Sequence, residues 1–343
     1  VGYPKLESFQ SPNVITTTAD FIFSWARSNS VFPFTYGLAC CAIEMLSSGF
    51  ARFDVARYGD WANRPYTNAK VRENYSRRFR IRFPNEELEA ARSLRTTPIY
   101  EKLQAENAVF GDYCTLEHPL WFAPQGTPAK EDATFRRSNA HPHVAEECRA
   151  VRESCGLIEI SNYGKFEITG PGAAEWLSKI MACKVPAVGR IALSPMLNDA
   201  GRLIGDFTLC RVSADRFFVV GTYAAEVVYM RWFEQHLPPT GVTVRPCAME
   251  YLGLSVAGPQ SRALLQKLVD DDLSTASFPF MSFAAMDVGM VPALVGRVSF
   301  TGEMGYEMWV TSEYLRTLYD LLHETGRAHS LCNFGGRALN SLR

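Results

Sequence analysis

One acidic side chain lies in a strand that otherwise carries mainly apolar residues. Asp206 falls in residues 202–212, a run rich in Leu, Ile, Phe, Thr and Val that follows the turn sequence of residues 198–201. Side chains of a strand alternate between two faces, so Asp206 shares its face with residues such as Thr208 and Cys210, and the pattern predicts that both faces are buried. An isolated buried charge is costly. Asp206 is therefore either an acid that serves a ligand or a core acid satisfied by neighbouring donors.

Two further acids lie near a glycine-flanked turn. Residues 297–300 and 306–310 are predicted as two strands joined by this turn. Glu303 then lies at the tip of the loop, while Glu307 lies in the returning strand beside Trp309. Loops held by rigid strands often carry binding groups. Glu303 is accordingly a candidate ligand-binding acid, with a solvated turn acid as the alternative.

Adjacent cysteines and histidines are the residues of the types that bind metals. Cys40 and Cys41 lie in the mostly apolar residues 37–45, where small, soft thiols most simply fill a core. The histidines have neither the spacing nor the acidic neighbours of a zinc site. The residues alone therefore predict no metal site.

The elements that would hold these residues are strands and helices in irregular alternation. Residues 202–212 and 215–221 are predicted as a hairpin, and residues 224–236 as the amphipathic helix that follows it. The other strands and helices after residue 144 show no regular βαβ spacing. The pattern therefore predicts an α+β fold.

The composition excludes several classes of partner. The 343 residues are 47% hydrophobic and 21% charged, with a net charge of -1, which is typical of a globular protein without overall attraction to nucleic acid or anionic membrane. The basic residues between 64 and 82 are followed at once by carboxylates, which favours ion pairs within the fold. No apolar run reaches the ~18 residues of a membrane helix.

The cysteine content and the chain ends bear on compartment and completeness. Nine cysteines is an odd number in a chain too long to need disulfide staples. This favours reduced thiols and a cytoplasmic location, or the mitochondrial matrix in a eukaryote. The chain starts at Val1 and stops at Arg343 without a cap or a polar tail, so both ends look cut. We expect a fragment of a longer protein.

Three sequence words resemble the folate signatures of the glycine-cleavage T-protein (aminomethyltransferase) superfamily. They are Met-Leu-Asn-Asp-Ala-Gly-Arg-Leu-Ile-Gly-Asp at 196–206, Phe-Thr-Gly-Glu-Met-Gly-Tyr-Glu at 300–307 and Gly-Arg-Ala-Leu-Asn-Ser-Leu-Arg at 336–343. Residues 279–283 and 287–292 are similar, more narrowly, to the dimethylglycine/sarcosine dehydrogenase branch. The resemblance implies a connecting segment of that branch at 60–135. It implies an incomplete, C-terminally truncated T-protein-like folate-binding domain of mixed antiparallel sheets and helices at 136–343.

This resemblance implies a tetrahydrofolate site in a central channel. Asp206 matches the family's catalytic aspartate, Glu303 the glutamate that hydrogen-bonds the pterin, and Arg343 an arginine just before the family's Leu-Glu continuation. Tyr306 and Asn198 belong to the same words and are expected to contact the cofactor. A carboxylate suits the first role because it can accept the proton released when a folate nitrogen attacks an iminium carbon. It suits the second because it can accept two N–H bonds.

The chain also departs from the family pattern. Gly205 stands where the T-protein has the first acid of an Asp-Asp pair, Phe300 replaces a tyrosine, and Asn162 replaces a histidine. No Gly-x-Gly-x-x-Gly word opens a strand–helix unit, so the FAD-binding half of the intact dehydrogenase is expected to be absent, as is the family's C-terminal domain. A flavin-bearing domain is therefore expected as a partner.

The front of the chain resembles a different family. Residues 25–45 and 52–59 are similar to the start of a cluster-binding subunit of respiratory complex I (NADH-quinone oxidoreductase), in which tandem cysteines like Cys40 and Cys41 hold an iron–sulfur cluster. The later cysteine ligands of that family are missing here, so no cluster is expected. Residues 1–59 are interpreted as a short helical appendage that makes the chain a chimera.

Together these features predict folate-dependent one-carbon transfer. In the expected reaction, tetrahydrofolate captures the methylene of an iminium formed from an N-methyl amine of the dimethylglycine or sarcosine type. Oxidation of the amine by FAD belongs to the missing half. An iron–sulfur electron-transfer subunit and an inactive chimera are the alternatives, and neither nucleic acid nor a membrane is an expected partner.

Overall fold

The computed structural model describes Gly59 and residues 61–343. Its α-helices in chain order are α1 (Arg64–Ser76), α2 (Tyr100–Ala105), α3 (Ala140–Glu153), α4 (Ala173–Ile180), α5 (Glu226–His236), α6 (Ser261–Leu265), α7 (Leu315–Gly326) and α8 (Gly336–Leu342). Its strands are β1 (Ala108–Tyr113), β2 (Leu116–Phe122), β3 (Cys155–Glu159), β4 (Tyr163–Thr169), β5 (Ile191–Leu197), β6 (Leu203–Arg211), β7 (Arg216–Thr222), β8 (Thr243–Pro246), β9 (Tyr251–Ala257), β10 (Phe283–Val288), β11 (Val291–Gly296), β12 (Gly305–Thr311) and β13 (Leu331–Asn333). Within the described ranges no helix has both the length and the apolar character needed to cross a bilayer. The predicted appendage, with Cys40 and Cys41, lies outside the described residues.

The strands form three sheets, and nearly all of their pairings are antiparallel. The largest sheet has six strands in the order β10-β11-β12-β9-β3-β13, and only its β3–β13 pair is parallel. A five-stranded sheet has the order β5-β6-β7-β4-β8, and β1 pairs with β2 in a small sheet. The predicted α+β class with antiparallel sheets is confirmed.

The hairpin predicted around Asp206 forms, with a further strand before it. The Asn198 side-chain oxygen accepts the backbone N–H groups of Ala200 and Arg202 at 3.1 and 2.9 Å, which closes β5 onto β6. Gly201 has φ 73°, a left-handed conformation that glycine adopts without a steric penalty. The predicted helix after the hairpin begins with a 3₁₀ turn and continues as α5.

The segment before the Glu303 turn is not the strand that the sequence predicted over 297–300. Strand β11 ends at Gly296. The hydroxyl groups of Ser299 and Thr301 lie 2.6 Å apart, and the Ser299 hydroxyl also accepts the Thr301 backbone N–H at 3.1 Å. Side-chain bonds of this local kind compete with a sheet ladder. They fold the segment into a compact turn instead.

The two large sheets pack face to face, and helices cover the outer face of each. Their shared core includes Cys210 and Phe218 from the five-stranded sheet and Phe283 and Trp309 from the six-stranded sheet. The ring centroid of Phe218 lies 5.7 Å from that of Trp309. Helices α4 and α5 pack on the outer face of the five-stranded sheet, and α6 and α7 pack on that of the other. We call the volume between the sheets the inter-sheet space.

Ion pairs hold the basic segment against the rest of the fold. Lys70 of α1 pairs with Asp112 of β1 at 2.9 Å. Arg77 pairs with Glu73 at 2.7 Å and with Glu86 at 3.4 Å. The ion pairs within the fold that the sequence favoured therefore form at Lys70 and Arg77.

Candidate functional site

Asp206 lies at the open end of the inter-sheet space. Its neighbours Phe207 and Leu209 are buried and pack beneath α5, whereas Asp206 points to the opposite face and is exposed. Cys210 shares the face of Asp206 but is 2% exposed, because the six-stranded sheet covers that end of β6. The prediction that both faces are buried is therefore wrong at Asp206. Its carboxylate is accessible to a ligand.

Apolar residues flank Asp206. Pro195 lies directly opposite Asp206 in the register of β5 and β6, with Leu193 and Leu197 two residues away on either side. The two leucines are 64% and 36% exposed, and Leu203 at the start of β6 is 53% exposed. We call the proline and the three leucines the apolar platform. Contiguous exposed apolar groups rimmed by polar residues mark interaction sites, so the platform suits an apolar ring placed next to Asp206.

Glu307 faces the inter-sheet space from the other sheet. It lies two residues before Trp309 on the same face of β12, and the Trp309 ring contacts Phe218 across the space. Burial raises the pKa of Glu307 to about 7, although a hydrogen bond from the Trp309 indole lowers it. The charge of Glu307 also acts on Cys210. Burial, and to a smaller extent this charge, raises the pKa of the Cys210 thiol.

The position of Cys210 shows how Asp206 and Glu307 lie relative to each other. It is a neighbour of Glu307, and it lies four residues from Asp206 on the same face of β6. Four residues of strand span ~13 Å. Asp206 and Glu307 therefore mark the open end and the buried end of one elongated site.

Arg343 borders the end of the site that holds Glu307. Its guanidinium lies 4.6 Å from the ring centroid of Phe300. Tyr163 on β4 lies close to both Arg343 and Glu307. Burial and then the charge of Glu307 raise the pKa of Tyr163 to about 12, while Arg343 lowers it. A positive charge therefore lies at the same end as the half-buried acid.

Glu303 points elsewhere. Its carboxylate pairs with Arg152 of α3, with 3.0 Å between Oε1 and Nη1. The backbone N–H of Glu303 donates to the Thr301 hydroxyl at 3.2 Å, which fixes the turn in this direction. The acid of this sequence word that faces the inter-sheet space is Glu307. Sequence reasoning assigned no role to Glu307, although its alternation with Trp309 in an apolar strand was the signal that could have found it.

The remaining two predicted contact residues make contacts within the fold. Tyr306 is buried and belongs to the core on the other face of β12, where its ring stacks on Phe278 at 6.5 Å. Asn198 closes the β5–β6 turn with its side chain. Its role in the fold is to shape the hairpin that carries Asp206.

Tyr229 explains why Gly205 precedes Asp206. A Cβ atom on Gly205 would lie 2.6 Å from the Tyr229 hydroxyl oxygen. The Tyr229 ring is buried and packs on Phe207 with 4.7 Å between centroids. Burial and then the charge of Asp206 raise the pKa of Tyr229 to about 12. A tyrosine ring thus occupies the space that the side chain of an Asp-Asp pair would need.

Metal ligands do not gather anywhere in the described residues. Within residues 61–343 no group of three or more His, Cys, Asp or Glu side chains could hold an ion. The cysteines of this part are free thiols, and burial raises the pKa of Cys155 and Cys247 to about 11. The iron–sulfur candidates Cys40 and Cys41 fall outside this part of the chain.

Two protein families match the chain. The family described as GCVT N-terminal domain matches residues 99–343. The family described as FAD dependent oxidoreductase central domain matches residues 50–97. The first match contains every residue of the candidate site.

Known enzymes of amine metabolism are similar to the chain. The dimethylglycine dehydrogenase, mitochondrial, of Mus musculus is 33% identical over 293 residues, covering 84% of this chain and 34% of that protein. The 4-methylaminobutanoate oxidase (formaldehyde-forming) of Paenarthrobacter nicotinovorans is 30% identical over 323 residues, covering 90% of this chain and 38% of that protein. The chain thus spans only about a third of the length of these relatives.

A solved structure shows the same fold. The glycine cleavage system aminomethyltransferase T from Bartonella henselae matches with a TM-score of 0.60 and 24% identity, over 73% of this chain and 62% of that chain. This match confirms the predicted T-protein-like fold. The resemblance of residues 1–59 to respiratory complex I, and the chimera inferred from it, gain no support from the comparisons. The match over residues 99–343 shows that the chain belongs to the family of the GCVT N-terminal domain.

Proposed function

We propose that the domain performs folate-dependent one-carbon transfer in the space between Asp206 and Glu307. The observation that carries the proposal is an exposed acid on an apolar platform, facing the same inter-sheet space as a half-buried acid. Membership of the GCVT N-terminal domain family supports the proposal, as does the similarity to a dimethylglycine dehydrogenase. The predicted roles of Asp206 and Arg343 are retained, and Glu307 takes the role expected of Glu303.

The chemistry of these residues fits tetrahydrofolate. The apolar platform offers a surface for an aromatic ring, Glu307 offers a carboxylate to N–H donors, and Arg343 offers a positive charge to an anionic group. When bound, tetrahydrofolate would supply the amine nitrogens that take up the one-carbon unit. We assign neither Tyr306, which is enclosed in the core, nor Glu303, which pairs with Arg152, to this site.

Asp206 would act as the general base. Its carboxylate is exposed at the mouth of the site and can accept the proton that leaves an amine nitrogen during bond formation. The leucines of the apolar platform limit the access of water to this carboxylate once a ring covers them. Tyr229, behind the strand, keeps its hydroxyl proton at neutral pH as an ordinary tyrosine does, and burial and then the charge of Asp206 raise its pKa further, to about 12.

Glu307 would recognise the N–H edge of the pterin ring. A carboxylate accepts such bonds best when it is ionised. Burial raises the pKa of Glu307 to about 7, so roughly half of the unliganded protein carries the ionised form at neutral pH. Binding of N–H donors would lower this pKa, and the affinity should therefore rise with pH through this range.

The one-carbon donor would be an iminium derived from an N-methyl amine. The names dimethylglycine dehydrogenase and 4-methylaminobutanoate oxidase (formaldehyde-forming) support this substrate class. The match of residues 50–97 to a central domain of FAD dependent oxidoreductases supports a flavin-bearing domain or partner protein as the source of the iminium. The residues of the candidate site would act only on the product of that oxidation.

The test compares Asp206→Asn with Asp199→Asn, a matched change of an exposed acid in the adjacent turn. Formaldehyde serves as the simplest one-carbon donor, and the rate of its condensation with tetrahydrofolate is measured above the uncatalysed background. We expect the Asp206 variant to lose ~10²-fold or more of the acceleration, the contribution typical of a general base, while it still binds tetrahydrofolate. The Asp199 variant should behave like the wild type.

Two results would contradict this assignment. Equal losses in binding and in rate for Asp206→Asn would argue against a base. A wild-type chain that binds no tetrahydrofolate would favour the inactive alternative.

A further inference from the structure

Lys165 is a completely buried cation one row deeper in the inter-sheet space than Tyr163. It is 0% exposed and lies on the same face of β4 as Tyr163. Its ammonium donates to the Ser161 carbonyl oxygen at 2.8 Å and lies 5.8 Å from the ring centroid of Trp309. A buried ammonium is costly, and no step of the proposed chemistry uses Lys165 directly. The contact of Lys165 with Trp309 offers a reason for its position.

Trp309 is confined on several sides. A Cβ atom on Gly253 of the adjacent strand would lie 2.6 Å from the ring, so the glycine backbone supports one side of the indole. Phe218 approaches it from the other sheet, with 5.7 Å between centroids, and the Lys165 ammonium lies over the ring. A cation held over an indole is attracted by the electron density of the ring face. The position of the indole N–H follows from these contacts.

The indole N–H is the group that Glu307 accepts. Trp309 has a single side-chain donor, and that donor bonds the carboxylate of Glu307 two residues earlier in β12. Lys165, Trp309 and Glu307 therefore form a line of contacts from the buried core to the candidate site. The line ends at the acid that we assign to pterin recognition.

We propose that Lys165 is a positioning residue: its ammonium fixes the Trp309 indole, and the indole N–H in turn orients the Glu307 carboxylate toward the ligand. This inference rests on the proposed function for the identity of the ligand, but the line of contacts exists without one. Lys165 touches neither substrate nor cofactor. Its effect on binding passes through the tryptophan.

The charges around Lys165 keep its ammonium available for this contact. Burial, the largest effect, lowers the pKa of Lys165 to about 8, whereas the acids Glu226 and Glu159 and the thiol of Cys247 raise it, and Arg95 lowers it. Glu159 is buried, and one of its carboxylate oxygens has no hydrogen-bond partner in the described residues. Because neutral pH lies below this pKa, the lysine is mostly charged and can make the cation–π contact with the indole.

The first experiment measures the NMR signal of the Trp309 indole N–H as a function of pH, in the absence of folate. The indole nitrogens of the full chain are labelled with ¹⁵N, and a Trp309→Phe variant assigns the Trp309 signal among the six tryptophans. In the wild type this signal should move with pH as Glu307 ionises, and Glu307→Gln should abolish the movement. Lys165→Met should displace the signal and raise its pH midpoint, because a misplaced N–H stabilises the carboxylate less. Lys165→Arg should restore the wild-type behaviour.

The second experiment measures tetrahydrofolate affinity in a double-mutant cycle. Lys165→Met should weaken binding about threefold to tenfold, the ratio that corresponds to a cation–π contact of modest strength. Trp309→Phe should weaken it as well, and adding Lys165→Met to Trp309→Phe should cost nothing further. Lys179→Met, a change of an exposed lysine on α4, is the matched control and should leave the affinity unchanged. Lys165→Gln replaces the methionine variant if that protein does not fold.

The outcomes separate the two proposals. An unmoved Trp309 signal and an unchanged pH midpoint in a folded Lys165→Met or Lys165→Gln protein would overturn the positioning role. Additive losses in the cycle would also overturn it, because Lys165 would then act independently of the indole. A displaced signal in a protein whose wild type binds no folate would leave the positioning of Glu307 in place and remove the proposed function alone.

Discussion

Replacing Glu307 by glutamine should make the protein more stable while it damages the site. Burial raises the pKa of Glu307 from 4.5 to about 7, so the folded state prefers the protonated acid. A raised pKa of this kind costs stability once the pH exceeds the unfolded-state value, and the cost grows until the pH passes the folded-state value. This rise in pKa corresponds to roughly 3 kcal/mol of stability, which the partial exposure of Glu307 reduces to about 2 kcal/mol above pH 7.

Glutamine keeps an acceptor for the Trp309 indole but carries no charge, so it removes this cost. Urea unfolding at pH 5 and at pH 8 gives the free energies of unfolding of wild type and variant. We expect Glu307→Gln to be about 2 kcal/mol more stable than the wild type at pH 8 and nearly equal at pH 5. The difference between the two proteins cancels the titration of Glu147 and Glu159, whose pKa values burial also raises to about 7.

The matched control is Glu303→Gln. This change removes only a partly exposed ion pair with Arg152, which is worth at most about 1 kcal/mol, and its effect should vary little between the two pH values. A Glu307 variant that is less stable than the wild type at pH 8 would refute the reasoning. So would a stabilisation of the same size at both pH values.

Three other variants and conditions follow from the same contacts. Gly205→Ala should destabilise the protein by about 1–3 kcal/mol in urea unfolding, because its Cβ would lie 2.6 Å from the Tyr229 hydroxyl oxygen; an unchanged midpoint would contradict this packing. Arg152→Ala should leave tetrahydrofolate affinity unchanged, because it releases only Glu303, and a loss measured by calorimetry would return Glu303 to the site. Tetrahydrofolate affinity should rise between pH 6 and pH 8 as Glu307 ionises, by up to about tenfold, whereas a flat profile would exclude an ionised Glu307 from binding.

The sequence was sufficient for the features that depend on local chemistry. The turn at Asn198 and the alternation of Phe207 and Leu209 predicted the strand and its hairpin, and both form. Irregular spacing of strands and helices predicted α+β, and the sequence words around Asp206 and Arg343 predicted the T-protein-like fold. The hairpin could be predicted from residues within one strand and one turn, the fold class from the order of elements along the chain, and the T-protein-like fold from the resemblance of the sequence words.

The features that the sequence did not predict depend on which elements meet. Asp206 is exposed because the six-stranded sheet covers Cys210 and stops short of the other end of β6, and no local pattern reports where a distant sheet ends. Glu303 and Glu307 are both acids of one sequence word, but the Ser299–Thr301 bond turns the first toward Arg152 and leaves the second facing inward. The choice between them required the fold.

Calorimetric titration with tetrahydrofolate tests the central claim most directly, when the wild type is compared with Glu307→Gln and Glu303→Gln under identical conditions. We predict saturable binding to one site in the wild type, a loss of affinity of about tenfold or more in the Glu307 variant, and no change in the Glu303 variant. Absence of saturable binding in the wild type would contradict the proposed function. A loss confined to the Glu303 variant would show that the ligand does not lie in the space between Asp206 and Glu307.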